Sequence, residues 1–218
     1  MPKIDIDTTC LPLAKIYLWQ ITETPEELSN LLANGDEMLC MTTDRFGSRK
    51  RQCEWLATRV LLQHTPYKDA EILYHTNGAP YLSCGDIHIS ISHTQGYVAI
   101  AIADTPIGLD IEHSSRDAMR VIDAYLQPQE VERLWTEDDP TTEALRLWTV
   151  KEAAFKLHAG KADVLKEIHT QPSDNSRSKD IHNYIITYYC GTKARCLTTA
   201  LRGLFISCCS NSMPTIGL

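Results

Sequence analysis

From Asp86 to Thr94 the chain reads DIHISISHT, with Ile87, Ile89 and Ile91 alternating with His88, Ser90 and Ser92. A period of two places the isoleucines on one face and the polar side chains on the other, which predicts a strand. GYVAIAIAD and PIGLDIEH follow directly as two more strands, and their short links predict an antiparallel meander. Upstream, KIYLWQI (Lys15 to Ile21) reads as a strand rich in β-branched and aromatic residues. TPEELSNLLA then starts a helix, with Thr24 as N-cap, Pro25 in the first turn and Glu27 completing a capping box. RKRQCEWLATRVLLQHT predicts a second helix that buries Cys53, Leu56 and Val60, with Ala57 and Leu61 beside them. NGAPYL (Asn77 to Leu82) is a turn, because Asn-Gly accepts positive φ and Pro80 restricts Ala79.

Downstream the pattern repeats in kind. RDAMRVIDAYL is helical, QPQEVERLW begins a helix at Pro128, and LWTVKEAAFKLHAG (Leu147 to Gly160) is a well-formed apolar helix. QPSDNSRSKD (Gln171 to Asp180) is a polar loop, and IHNYIITYY, KARCLTTAL and GLFISCCS close the chain as strands. Helices then strands, twice over, predict an α+β fold of two similar α/β halves with mainly antiparallel sheets, divided as residues 1–104 and 105–218.

The last long helix carries an anomaly. If Trp148 faces inward, Glu152 and Lys156 follow at i+4 and i+8 on the same stripe. Taken alone they are an exposed i,i+4 ion pair. GLDIE changes the weighing, because Asp110 and Glu112, two apart on a strand, share one face while Leu109 and Ile111 take the other. Gly108, lacking a side chain, permits a ligand or a neighbouring strand to come close. If the helix crosses that face, three carboxylates converge. Two like charges roughly 4 Å apart repel by about 4 kcal/mol at an effective dielectric near 20, so such a cluster needs protons or a cation. Few carboxylates with open positions suit Mg²⁺, and Lys156 would then serve the phosphates of a substrate. Ser92 and His93, ending the first strand, can both donate to phosphate oxygens. A hydrolase reading of the Ser-His pair lacks a G-x-S-x-G elbow.

Composition limits the alternatives. The 218 residues are 43% hydrophobic and 22% charged, with a formal net charge of −7. That balance argues against nucleic-acid or anionic-membrane binding. No run approaches the roughly 20 apolar residues of a membrane span, and MPKIDIDTTC lacks the order of an export signal, so the expected location is cytoplasmic. Eight cysteines without a C-x-x-C read as buried free thiols. One stretch, DRFGSRKR, sets Arg45, Arg49, Lys50 and Arg51 against Asp44: a solvated helix start, or a clamp for a phosphorylated ligand.

Taken in order, ISHT, PIGLDIE and LWTVKEAAFK resemble the motifs of the surfactin-synthetase-type 4′-phosphopantetheinyl transferases, whose pattern runs N/S-x-S-H-S/T, I-G-I/V-D-I/V-E and W-x-x-K-E-A/S-x-x-K. The resemblance covers practically the whole chain and concentrates in residues 78 to 157. It implies two halves related by a pseudo-twofold with coenzyme A between them. It implies Mg²⁺ on Asp110, Glu112 and Glu152, with Asp110 also against the pyrophosphate, Lys156 on the phosphates and Glu152 also as a candidate base. Ser92 and His93 would approach the nucleotide phosphates, Gly78 to Pro80 the adenine, and Arg49 with Arg51 the 3′-phosphate. Ala79 departs from the family's G-K-P lysine, so that contact is either missing or supplied from elsewhere, as by Lys50 or Arg51. Leu126 stands where relatives place phenylalanine, in the apolar patch that receives a carrier protein, with Arg116 and Arg120 nearby. The implied activity transfers phosphopantetheine from coenzyme A to an acyl or peptidyl carrier protein, by a monomer. A Mg²⁺-dependent nucleotide phosphohydrolase with the same carboxylates is the alternative enzyme, and a plain binding module the non-enzymatic one.

Overall fold

The computed structural model describes residues 3–5, 11–158, 165–173 and 180–211. Cys10, most of the N-terminal stretch and residues 174–179 of the expected polar loop lie outside them, as does the end of the LWTVKEAAFKLHAG segment beyond His158. The chain begins with β1 (Lys3–Asp5) and β2 (Lys15–Gln20), then α1 (Pro25–Ser29), which starts at the Thr24–Glu27 capping box. A helix that the apolar pattern did not announce follows, α2 (Gly35–Arg45). It buries little beyond Thr42, so it has almost no apolar stripe to betray it. Its first residue must be glycine for a local reason, since a Cβ there would press on the Ser29 backbone. α3 (Arg49–Gln63) is the long helix of this half and buries Leu56, Ala57, Val60 and Leu61 as expected. A small hairpin, β3 (Ile72–Tyr74) with β4 (Pro80–Leu82), turns at Gly78, whose φ is +83°.

The strands β5 (His88–Thr94), β6 (Tyr97–Ala103) and β7 (Ile107–His113) do not form one meander. β5 and β6 complete a four-stranded sheet in the order β1-β2-β6-β5. β7 is instead the edge of a five-stranded antiparallel sheet with β11 (Leu204–Ser210), β10 (Lys193–Leu201), β9 (Ile181–Thr187) and β8 (His169–Pro172), in that order. The passage from one sheet to the other falls between Ala103 and Ile107. Between β7 and β8 run α4 (Ile122–Tyr125), α5 (Pro128–Leu134) and α6 (Pro140–Leu157).

Three apolar clusters set the layers. Leu56, Ala57 and Val60 of α3 pack on Val98, Ile100 and Ile102 on one side of the first sheet. Leu18, Ala99 and Ala101 pack with Leu109, Ile111, Leu197 and Ile206, so the two sheets cover each other. Leu147, Val150, Ala153 and Ala154 of α6 cover the second sheet's outer side with Tyr184, Ile186 and Cys209. The architecture is a mixed α/β fold with antiparallel sheets.

At the junction, edge β5 runs beside edge β7. The hydroxyls of Ser90, Ser92 and Thr94 accept the backbone N–H groups of Leu109, Ile111 and His113 at 2.9, 3.2 and 3.2 Å. The polar face read in DIHISISHT is therefore buried: it closes the open edge of the second sheet, whose N–H groups would otherwise lack partners. Gly108 permits a close approach, but by α6 rather than by a ligand or strand. A Cβ at Gly108 would stand 2.6 Å from Leu157 N and nearer still to the carbonyl oxygen of Ala153.

Lys151, beside Glu152, is wholly buried and donates to the Tyr125 carbonyl and Glu130 Oε2, each at 2.6 Å. Glu130 Oε1 accepts from Thr170 N and Oγ1, so one buried ion pair joins α6, α5 and β8. Glu130→Ala would leave that ammonium uncompensated and is expected to cost about 3–5 kcal/mol in denaturant unfolding. Glu130→Leu combined with Lys151→Met should recover most of the loss. The thiols divide: Cys196, Cys208 and Cys209 are buried, whereas Cys40, Cys84 and Cys190 are exposed, so burial does not explain all the cysteines.

Candidate active site

The site grows from the β5–β7 seam. Adjacent strand residues point to opposite faces, so Ser92 turns toward β7 while His93 turns toward α3. Ser92 Oγ donates to Asp110 Oδ1 at 2.8 Å and accepts from Lys156 Nζ at 3.0 Å. Lys156 Nζ also donates to Asp110 Oδ1, at 2.8 Å. Together with its bond from Ile111 N, this fully satisfies the Ser92 hydroxyl, which holds Asp110 rather than standing free for a phosphate. Two residues along, Thr94 Oγ1 donates to Glu112 Oε2 at 2.9 Å. The other Glu112 oxygen accepts from Trp148 Nε1 at 3.1 Å and Arg116 Nη1 at 2.8 Å. Trp148 is steadied edge-on against Tyr125, with the Arg116 guanidinium 4.4 Å from its ring centroid.

Each strand carboxylate thus has one cation. Glu152 has no hydrogen-bond or ion-pair partner among the described residues. Burial pushes its carboxyl above the ordinary range, and Asp110 adds to this, with a smaller contribution from Glu112; Lys156 and Arg116 oppose. Glu112 is raised too, by burial and then by Asp110. The helix faces the strand pair, since Lys156 reaches Asp110 and Trp148 reaches Glu112.

Among the described residues no three His, Cys, Asp or Glu side chains form a ready-made metal cage. The donor set nonetheless fits a hard cation. Asp110 Oδ2 is buried without any hydrogen-bond partner, beside a partnerless Glu152, and carboxylate oxygens are what Mg²⁺ takes.

A raised carboxyl binds its proton more readily in the folded than in the unfolded protein. Stability therefore falls as pH rises from the ordinary value of 4.5 through the raised one. Glu152→Gln should flatten that decline and raise the unfolding temperature near neutral pH. Thermal scans across pH in a chelator check it; an unchanged slope would contradict the assignment of strain to Glu152.

On the α3 side, Arg51 Nη1 lies 2.7 Å from His93 Nε2 and 3.1 Å from Glu54 Oε2. Burial lowers the His93 pKa, Glu54 opposes, and Arg51 and Lys156 lower it further, so the ring accepts from Arg51 as a neutral imidazole. Glu54, 4% exposed, is a residue that sequence reasoning passed over. Its only signal was a carboxylate amid a basic run.

Three cavities with shared lining residues make up a trough along this line. One of about 440 Å³ is lined by Lys50, Arg51, His93, Glu112 and Arg116. One of about 320 Å³ shares Arg51 and His93 and reaches Gly78 and Pro80. One of about 260 Å³ continues from Gly78, Ala79 and Pro80 to Phe155 and Lys156. A larger cavity, about 560 Å³ beside Pro12, Tyr67 and Thr105, has none of these groups.

Two expected positions stand apart. Arg49 does not join the trough: its guanidinium forks onto Glu26 at 3.1 and 2.8 Å. Two helical residues apart is about 200° of rotation, so Arg49 and Arg51 cannot serve one face of α3. Leu126 is 1% exposed, a core residue of the α6 cluster rather than a docking patch. Near it, Val121 is exposed, while Arg120 pairs with Asp117 and Arg116 with Glu112.

Residues 106–202 match the model of the 4′-phosphopantetheinyl transferase superfamily, a stretch that includes Asp110, Glu112, Glu152 and Lys156. The chain is 30% identical over 109 residues to 4′-phosphopantetheinyl transferase gsp of Aneurinibacillus migulanus, covering 47% of this chain and 45% of that protein. It is 32% identical to a 4′-phosphopantetheinyl transferase of Bacillus subtilis over 38% of each chain. It is 31% identical over 136 residues to 4′-phosphopantetheinyl transferase AcpT of Salmonella typhimurium, spanning 59% of this chain and 71% of that one. The matched stretch thus spans less than half the length of the first two relatives. These transferase names lend the phosphohydrolase alternative no support.

Proposed function

Because the chain belongs to the 4′-phosphopantetheinyl transferase superfamily, we propose that it moves the phosphopantetheine arm of coenzyme A onto a serine hydroxyl of an acyl or peptidyl carrier protein, releasing adenosine 3′,5′-bisphosphate. The observation that carries this is the state of Asp110: one oxygen held by Ser92 and Lys156, the other buried without a partner, next to a carboxyl of raised pKa on α6.

In this reading residues 1–104 present the nucleotide side and residues 105–218 the acidic motifs, as halves related by a pseudo-twofold about the cleft. Coenzyme A lies along the trough, with its adenine toward Gly78 to Pro80. Asp110, Glu112 and Glu152 would hold Mg²⁺. When bound, the ion would spread the negative charge that develops on the pyrophosphate. Lys156, a point charge on a flexible stem held between Ser92 and Asp110, can turn to the phosphate that bears pantetheine. The carrier's serine oxygen attacks that phosphorus as its bond to the bridging oxygen breaks. The bridging oxygen leaves with the nucleotide. Glu152, or a water that it polarises, takes the serine proton. His93 and Arg51 face the nucleotide phosphates. Trp148 and Tyr125 keep Glu112 and the helix in register.

No helix among the described residues is long and apolar enough to cross a membrane. We place the protein in the cytoplasm as a monomer, with no nucleic-acid or membrane partner, in keeping with its acidic balance. The test is mass spectrometry of apo carrier proteins after incubation with coenzyme A and Mg²⁺. The phosphopantetheine mass increment on serine is expected. Release of phosphopantetheine without any protein acceptor would point to hydrolysis instead.

A further inference from the structure

Glu112 differs from the other two carboxylates of the site in having both oxygens engaged. Oε2 accepts from Thr94 Oγ1 at 2.9 Å, and Oε1 accepts from Trp148 Nε1 at 3.1 Å and from Arg116 Nη1 at 2.8 Å. Asp110, in contrast, keeps Oδ2 without a hydrogen-bond partner while Ser92 and Lys156 hold Oδ1. A divalent cation can therefore join Asp110 without disturbing Lys156, but at Glu112 it meets a guanidinium. Two cations at one carboxylate oxygen repel each other, and more strongly in a half-buried site than in water.

Arg116 is built as a partner that can be displaced. It follows β7 in a turn, with its N–H donating to the His113 carbonyl at 2.9 Å, and its side chain is 40% exposed. Water screens an ion pair of that kind, so its hold on Glu112 is weak beside the pull of a dication on a carboxylate. The other two donors to Glu112, Thr94 and Trp148, are neutral; they fix the carboxylate without opposing a metal. The Arg116 guanidinium lies 4.4 Å from the Trp148 ring centroid and borders the cavity of about 440 Å³. Off Glu112, it has an aromatic face to rest on and open space to turn into. Its charge reaches the helix too. Burial and then Asp110 raise the Glu112 and Glu152 carboxyls, and Arg116 opposes the rise in both.

We propose that Arg116 competes with a divalent cation for Glu112, so that metal uptake and release of the guanidinium are one coupled step and Arg116 sets the metal affinity of the site. It acts through Glu112 and is a positioning residue. That Mg²⁺ sits on these carboxylates rests on the functional reading above.

The test titrates the full chain with Mg²⁺ by calorimetry and with Mn²⁺ by the paramagnetic resonance of the free ion, each with and without coenzyme A. Arg116→Met, which keeps an apolar stem on Trp148, should tighten metal binding by about 2–5-fold, the equivalent of an exposed ion pair. Arg116→Lys, which restores a cation, should return the affinity to near the native value. Arg120→Gln removes a positive charge that pairs with Asp117 instead, and should leave the affinity as it is. A purely structural arginine predicts the opposite sign, because losing a support of Glu112 would weaken the metal. An Arg116→Met protein that binds metal no tighter than the native one overturns the proposal and leaves the metal reading standing. So does an equal gain in Arg120→Gln, which would mark a general effect of charge. If Arg116→Met does not fold, Arg116→Gln is held to the same outcome. A native protein that takes up neither ion, with coenzyme A or without it, would sink the metal reading itself and this proposal with it.

Discussion

Asp110→Asn is expected to lower carrier modification by about 10³-fold while leaving the protein folded. The magnitude is that of removing one preorganised charged group from a site that works by electrostatics. Asparagine has nearly the shape of aspartate and can still accept from Ser92 and Lys156. The charge that orders Lys156 is lost, together with the oxygen that has no partner in the native protein. Lys156 is not deeply enclosed, since its side chain is 29% exposed, so it can recover water when its partner is neutralised. Stability should therefore fall by no more than about 1–2 kcal/mol. Nucleotide release and carrier mass measure the first effect, and thermal unfolding the second. Turnover within tenfold of native would show that the chemistry does not depend on this carboxylate. A collapsed unfolding temperature would show instead that Asp110 is structural.

The second large effect concerns Gly108. Gly108→Val should cost about 3 kcal/mol or more, lowering the unfolding temperature by roughly 6–12 °C in a chain of this size. The added Cβ meets backbone atoms, Ala153 O and Leu157 N, which cannot swing aside as a side-chain tip would. Relief requires α6 to lift from β7. That motion also carries Glu152 and Lys156 away from Asp110, so activity should fall further than stability alone explains. Gly108→Ala should act in the same sense. Gly47 is the control, because a Cβ there meets nothing within 4 Å. Equal unfolding temperatures for Gly108→Val and Gly47→Ala would show that helix–strand contact is not limiting here.

Both variants act where an edge strand, a helix and a second strand meet. That meeting explains which expectations held. A strand with period two needs no tertiary information to share its faces, so Asp110 and Glu112 opposite Leu109 and Ile111 could be read from GLDIE alone. The i+4 spacing likewise put Glu152 and Lys156 on one side of their helix. The meander failed because short links and alternation say that strands are antiparallel neighbours in sequence, not which sheet each joins. β7 crosses to β11, where Leu109 and Ile111 are buried between the sheets and Ser90, Ser92 and Thr94 replace a ladder at its open edge. The weak apolar stripe of α2 left it invisible. Arg49 turns to Glu26 while Arg51 turns to His93, and a run of basic residues does not reveal which of them faces inward until the helix has a neighbour.

The sequence by itself determined the ordered motifs, the pairing of acidic residues on one strand face and the polar groups on the last long helix, since these follow from short-range periodicities of the backbone. Only the tertiary structure decided that the serine strand seals the neighbouring sheet, that Ser92 holds Asp110, that Arg51 rather than Arg49 meets His93, and that Lys151 is buried while Lys156 borders the cleft. Those outcomes depend on which surfaces exclude water from each other across dozens of residues. Local spacing carries no record of that.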